Sequence, residues 1–248
     1  MILGLTAGAI ALGLAATLVA GFVRGLAGFG LAILLVPVLA LAIPPPEAVV
    51  TGNWLGFMIS LVSLRKQVAA TERSAWVIAG VAVLTIPLGV FALSLTAPPV
   101  ARLLIALVAI AAFVAVLLPP RVHDRARSGE AVATGIASGV LTGFAGMPGP
   151  PVVPFYLRRP LPPAVARASM MSVFLITQGT GVATAVALRV ATWRELILAL
   201  ALYPAVLIGN WAGNRAFGRI DPNAWRWIAG GVLGLAAGAA VLKLAAAA

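Results

Sequence analysis

Two short stretches hold most of what could do chemistry in this chain. The first reads Gly21-Phe22-Val23-Arg24-Gly25-Leu26-Ala27-Gly28-Phe29-Gly30. The second reads Gly139-Val140-Leu141-Thr142-Gly143-Phe144-Ala145-Gly146-Met147-Pro148-Gly149-Pro150-Pro151. Neither holds a cysteine, a histidine or a carboxylate. What they offer is backbone. Glycine and proline interrupt helical bonding, and amide N–H groups freed at a helix start can bind an anion without any side-chain charge. At membrane depth such freed backbone is tolerated only within protein or beside a water-filled cavity. Packing is the competing reading, because small residues every three or four positions let membrane helices approach closely. Packing accounts well for Gly21, Gly25, Gly139 and Gly143, and less well for Gly28–Gly30 and Gly146–Pro151.

Arg24 adds a full charge beside the first cluster. It is the only basic residue before Arg65. A cation within a membrane costs several kcal/mol and is normally functional, unless its long stem lets the head snorkel to an interface. Both readings stay open for Arg24; the functional one makes it an attractor of anions. Further polar side chains open a later apolar run. They are Thr51-Gly52-Asn53-Trp54 and, in a matching place, Ala168-Ser169-Met170-Met171-Ser172, with Thr177 and Gln178 deeper. Such residues often only bond the preceding turn's carbonyl. Asn53, Ser169, Ser172 and Gln178 are the candidates for lining a pathway instead.

Other chemistries are poorly supplied. The acids Glu47, Glu72, Asp124, Glu130, Glu195 and Asp221 all lie at the ends of apolar runs or between them. A proton relay in a pump usually needs a carboxylate in mid-span. His123 stands alone in a polar stretch, and there is no Cys. The expectation is no metal site, no cofactor, no acid–base centre and no enzyme. A weak-acid substrate would carry its own proton.

The elements that must position these residues follow from composition. The chain is 62% hydrophobic and 9% charged. A soluble surface cannot be built from so few charges. A span takes about 20 apolar residues, which leaves room for about eight to ten spans. The net charge of +11 would suggest nucleic acid in a soluble protein, but no continuous basic face exists, and arginines between apolar runs are topology signals and headgroup anchors. No basic residue precedes Arg24, so the first run reads as a retained span and not as a signal peptide.

The runs are Leu3–Val23, Gly28–Ile43, Ala48–Leu64, Ala75–Leu95 and Val100–Leu118, then Ala131–Gly146, Pro148–Leu157, Val165–Leu188, Leu196–Ala212 and Ala224–Ala246. They form two sets of five, A, A′, B, C and D. At an offset of 118, Gly21, Gly25, Ala27 and Gly28 fall on Gly139, Gly143, Ala145 and Gly146. At 117, Pro37, Pro45, Phe57, Trp76 and Pro87 fall on Pro154, Pro162, Phe174, Trp193 and Pro204. Ala/Leu/Val sequence matches itself freely, but Trp, Phe and Pro rarely match at one offset, so the chain is a duplication. Run A′ is short in the first half and broken by prolines in the second. Matched Gly/Pro interruptions are the best pointer to a transporter's binding site.

Arginine placement gives orientation. The first half carries Arg65, Lys66 and Arg73 between B and C. The second carries Arg158, Arg159 and Arg167 between A′ and B, and Arg215, Arg219 and Arg226 after C. Cytoplasmic loops are the basic ones, so this swap predicts halves of opposite orientation. The alternative is a parallel pair of four-span halves with A and A′ as one hairpin.

At these motifs the chain resembles the TauE/SafE family of sulfite and organosulfonate permeases. The resemblance rests on the duplicated glycine-rich segment with a following Pro at Pro37 and Pro154. It rests also on the small-polar start of B after each Pro pair, and on Pro87 and Pro204 in the C runs. It covers essentially the whole chain. It implies a transporter of sulfur-containing anions such as sulfite or sulfoacetate.

The sequence therefore predicts an all-α polytopic membrane protein of two homologous halves, inverted, with broken or re-entrant A/A′ segments. Residues 1–118 form the first transmembrane repeat, 119–129 a cytoplasmic linker and 130–248 the second repeat. The candidate substrate-binding residues are Arg24, Gly28, Phe29, Gly30, Asn53, Trp54, Gly146, Met147, Pro148, Gly149, Ser169, Ser172 and Gln178. The predicted function is a carrier or facilitator for a small anion in the bacterial inner membrane, with a passive channel or non-transporting subunit as the alternative. The partners implied are that anion and the lipid bilayer, with a homo-oligomer left open and no nucleic acid.

Overall fold

The computed structural model describes residues 7–62, 64–117 and 128–216. Most of the polar linker with His123, and the last apolar run Ala224–Ala246, lie outside the described residues. Among those described, every regular element is a helix. They are α1 (Ala7–Ala27), α2 (Leu31–Ala42), α3 (Pro45–Leu61), α4 (Leu64–Ala69), α5 (Arg73–Leu95), α6 (Pro98–Leu117), α7 (Ser128–Ala145), α8 (Gly149–Leu157), α9 (Pro163–Ala187) and α10 (Trp193–Ala216). Five of these, α1, α5, α6, α9 and α10, are long and apolar enough to cross a membrane. The chain is a polytopic helical membrane protein.

Prolines set many starts. Pro45, Pro98 and Pro163 each open a helix, where the missing N–H costs nothing and φ is already helical. The A′ runs stay short, as the sequence predicts: 12 residues in α2 and 9 in α8. At about 1.5 Å per residue neither reaches across a core of roughly 30 Å. The B runs differ between halves. Pro45 and Ala69 fall on Pro163 and Ala187 at the offset of 118, yet α9 is continuous where α3 and α4 are separated after Leu61.

Helix directions follow from paired contacts. Gly21 packs on Val206 and Gly25 on Asn210, so α1 and α10 run parallel. Gly135 meets Ile78, Gly139 meets Ala82 and Gly143 meets Ile86, so α7 and α5 run parallel. Gly181 lies on Asn53 and Gly179 on Phe57, while Glu72 N donates to Ser169 Oγ at 2.9 Å; α9 therefore runs against α3 and starts beside α5. Glu47 in the first turn of α3 pairs with Arg194 in the first turn of α10 at 3.4 Å, so these two start together. Helices α1, α3 and α10 point one way, and α5, α7 and α9 the other. Each of these A, B and C helices is thus antiparallel to its counterpart, and the repeats are inverted. Parallel halves would have kept each pair aligned.

The halves are interleaved. Helix A of each half lies along helix C of the other, and α3 packs on α9 at the centre. Helix α2 is buried along nearly its whole length. The outer faces of α5 and α10 carry Leu84, Leu88, Phe91, Leu200 and Ile208 exposed. Apolar faces of this extent belong in lipid.

One register differs from the sequence reading. Buried positions Ile78, Ala82, Ile86 and Val90 of α5 recur as Leu198, Leu202, Val206 and Asn210 of α10, an offset of 120 where Trp and Pro match at 117. The connection Leu188–Thr192 is longer than Ala70–Glu72. It shifts C by about one turn, so Pro87 and Pro204 do not occupy equivalent places.

Candidate functional site

Each A helix ends in a glycine turn. Gly28, at φ 84°, donates its N–H to Arg24 O at 2.7 Å, and Gly146, at φ 68°, donates to Thr142 O at 3.0 Å. Each is the single 5→1 bond of an αL helix end, and Met147 N additionally reaches Leu141 O at 3.2 Å. Both φ values lie in the left-handed region, where a side chain costs roughly 1–2 kcal/mol. The chain turns back into α2 after Gly30 and into α8 after Pro148.

The two turned-back helix starts meet. A cavity of about 20 Å³ is lined by Arg24, Gly30, Leu31, Ala32 and Ile33 from the first break, Pro148 and Gly149 from the second, and Phe174 and Gln178 of α9. Isoleucine 33 is the closest side chain to Gly149, with Cδ1 3.3 Å from where a Cβ would stand. The cavity has the volume of about one water.

Arg24 is the most consequential residue. It is fully buried at 1% exposure. One of its five N–H donors goes to Ser60 Oγ at 2.7 Å, and Ser60 in turn donates to Gly56 O at 2.7 Å. Its Nε is buried without a partner. Among the described residues the ion pairs are Arg159–Glu72 and Arg194–Glu47, so no carboxylate there neutralises Arg24. The Gln178 amide, 2% exposed, has its Oε1 buried without a partner. The first residues of α2 line the same cavity, at the positive end of that helix. The second break is poorer in donors, because Pro150 and Pro151 have no N–H.

The remaining sequence candidates separate by place. Arg24, Gly30, Pro148, Gly149 and Gln178 line the cavity. Gly28 and Gly146 shape the turns behind it. Phe29 packs into an apolar cluster with Phe155, Tyr156 and Phe174, and Met147 into the main core with Leu31 and Val36. Trp54 rests against two core clusters. Asn53 is buried beside the second break, its Nδ2 3.5 Å from Thr142 O and its Oδ1 unpartnered. Ser169 and Ser172 are not brought to the cavity. They bond Glu72 N and Thr71 Oγ1, tying α9 to the connection before α5.

Two residues beside the site escaped the sequence reading. Ser60 is the counterpart of Gln178 at the offset of 118, so the repeat itself could have found it. Arg167 reads as a loop charge, but it lies inside α9 and reaches Gly25 O at 2.5 Å. Outside the site, Glu195 closes a capping box with Thr192 at the start of α10, its Oε2 accepting from Thr192 N at 2.6 Å.

A bundle of inverted repeats with broken helices meeting at a buried arginine, which no carboxylate of the described residues neutralises, is the architecture of a membrane transporter. The family profile described as Sulfite exporter TauE/SafE matches residues 13–241. The chain belongs to that family, and it is a multi-pass membrane transporter. No curated protein and no solved structure matches it.

Proposed function

We propose that the chain is a secondary carrier for a sulfur oxyanion or organosulfonate, such as sulfite or sulfoacetate, and that the anion binds at Arg24 between the two helix breaks. The observation that carries the reading is Arg24 itself. A buried guanidinium with no carboxylate partner among the described residues is costly, and an anion would take its unused donors, the first amides of α2 and a reoriented Gln178 amide. Inverted halves that interlock through A–C pairs supply two bodies able to rock about a fixed site.

Arg65, Arg73, Arg158, Arg159, Arg167 and Arg215 gather at one end of the bundle, where α5 and α9 start and α10 ends. We place that end, with the linker, in the cytoplasm of a bacterial cell, the basic loops facing inward across the inner membrane. Among the described residues no carboxylate lines the cavity, so any proton dependence follows the substrate's own ionisation. Loss of proton dependence alone in Glu47→Gln or Glu130→Gln would show that assignment wrong.

Counterflow in proteoliposomes tests the reading. A carrier gives saturable, trans-stimulated sulfite flux that Arg24→Ala abolishes. Linear flux that persists in Arg24→Ala would leave a passive pore and no anion site at Arg24.

A further inference from the structure

Arg167 takes no part in the cavity lining, yet it grips the turn that presents Arg24. Its stem rests on Gly28, where an added Cβ would lie 2.4 Å from Arg167 Cγ. Its guanidinium donates to Gly25 O and to Asn214 Oδ1, each at 2.5 Å. One side chain of the second half thus ties the end of α1 to α9 and α10. The matching turn in the other half is closed differently. The counterpart of Arg167 at the offset of 118 is Val49, and Gly146 faces its carbonyl, 3.2 Å from an added Cβ. One break is covered by a long half-buried side chain, the other by packed main chain. A side chain swings aside by rotating single bonds, whereas main chain moves only with its helix. Gly25 O and Asn214 Oδ1 are a carbonyl and a carboxamide, both neutral acceptors. An oxyanion is the stronger acceptor for a guanidinium, by roughly twofold in hydrogen-bond strength.

We propose that Arg167 is the gate and outer anion-positioning residue of this carrier: it covers the Arg24 turn from the arginine-rich end and releases Gly25 and Asn214 when an arriving anion takes its guanidinium. The proposal deepens the anion-site reading of Arg24 and rests on it. It assigns the two breaks unequal roles, with the first opening by a side-chain movement and the second by a helix movement. It also gives the anion a path of two successive arginines, one half-buried and one buried.

The chain has no cysteine, so Ala32→Cys places a single thiol on the cavity wall. Its labelling by an anionic, membrane-impermeant thiosulfonate is timed in proteoliposomes of known orientation, without substrate, from each face. Slow labelling is expected in the parent. In Arg167→Ala it should accelerate about tenfold from the arginine-rich face alone, on the scale of losing one charge-assisted hydrogen bond. Arg167→Lys should fall between. Asn214→Ala, which leaves the arginine in place, should accelerate the same face by a smaller factor. Arg215→Ala, an exposed residue stacked on Trp211, should change nothing. Unchanged labelling in both Arg167→Ala and Asn214→Ala, or equal acceleration from both faces, overturns the gate. Because labelling is read without substrate, the two readings fail separately. Gated labelling with no sulfite counterflow removes the sulfur-anion function and leaves the gate, and counterflow with ungated labelling removes only the gate.

Discussion

Gly143→Ala should damage this protein far more than Gly80→Ala, although both put a methyl group on helices of the same A–C pair. A Cβ on Gly143 would stand 2.3 Å from Ile86 O and 2.6 Å from Val90 N. Both are main-chain atoms of α5 and cannot rotate away. Ordinary Cβ contacts begin near 3.4 Å, so the helices must separate by about 1 Å. Overpacking of this kind costs typically 1–3 kcal/mol, and backbone against backbone belongs at the top of that range. Alanine returns about 1 kcal/mol of helix propensity, leaving about 2 kcal/mol of destabilisation. For a chain of this size each kcal/mol moves Tm by roughly 2–4 °C, so the melting temperature in detergent should drop by about 4–8 °C. Gly80 has nothing within 4 Å, and its alanine variant should melt at or above the parent temperature. Gly25→Ala, whose Cβ would meet Asn210 O at 2.3 Å, should repeat the Gly143 result in the other seam. Equal melting of Gly143→Ala and Gly80→Ala would refute the crossed packing of the halves.

Three further outcomes follow. Arg24→Met should raise thermal stability while abolishing sulfite counterflow, because it removes a buried charge that no carboxylate of the described residues balances; a destabilised variant would mean the charge is structurally paired. Gly28→Ala should lower stability by about 1–2 kcal/mol for the left-handed turn alone, with more from the clash with Arg167, and chemical denaturation of the purified protein reads it. At the Glu72–Arg159 bridge, 2.6 Å between the halves, burial pushes the Glu72 carboxyl up, but hydrogen bonds from Ser74 and Arg159 and the Arg159 charge outweigh it, and the net direction is down. Its contribution is therefore present above the ordinary carboxylate pKa and lost as pH falls through the lowered folded value; Glu72→Gln should flatten that acid limb of the melting curve by about 1 kcal/mol or less.

Much of this was legible before any coordinates. Duplication shows in sequence because Pro and Trp are rare and do not match by chance. The breaks show because Gly28, Gly146 and the following Pro148 are residues that helices reject. Inversion shows in the arginines because loop charge follows the membrane face, and the antiparallel run of α3 and α9 bears it out. The register of the C helices was hidden, since only the packing of Ile86 and Val206 reveals that the longer connection had displaced it. The placement of Ser169 and Ser172 was hidden too: a serine in a buried helix looks the same from sequence whether it faces a cavity or the connection at Thr71 and Glu72. Arg167 was misjudged because a charge four residues past a proline pair reads as loop, and only the fold brings it onto Gly28.

The central claim is that Arg24 binds the transported anion between the two breaks. Equilibrium binding of radiolabelled sulfite to the purified protein tests it most directly, with Arg24→Ala and Arg24→Lys beside the parent. Saturable binding should weaken by at least about tenfold in Arg24→Ala, the loss of one charged hydrogen bond, and recover in part in Arg24→Lys. Sulfite binding of equal affinity in the parent and in Arg24→Ala would contradict it.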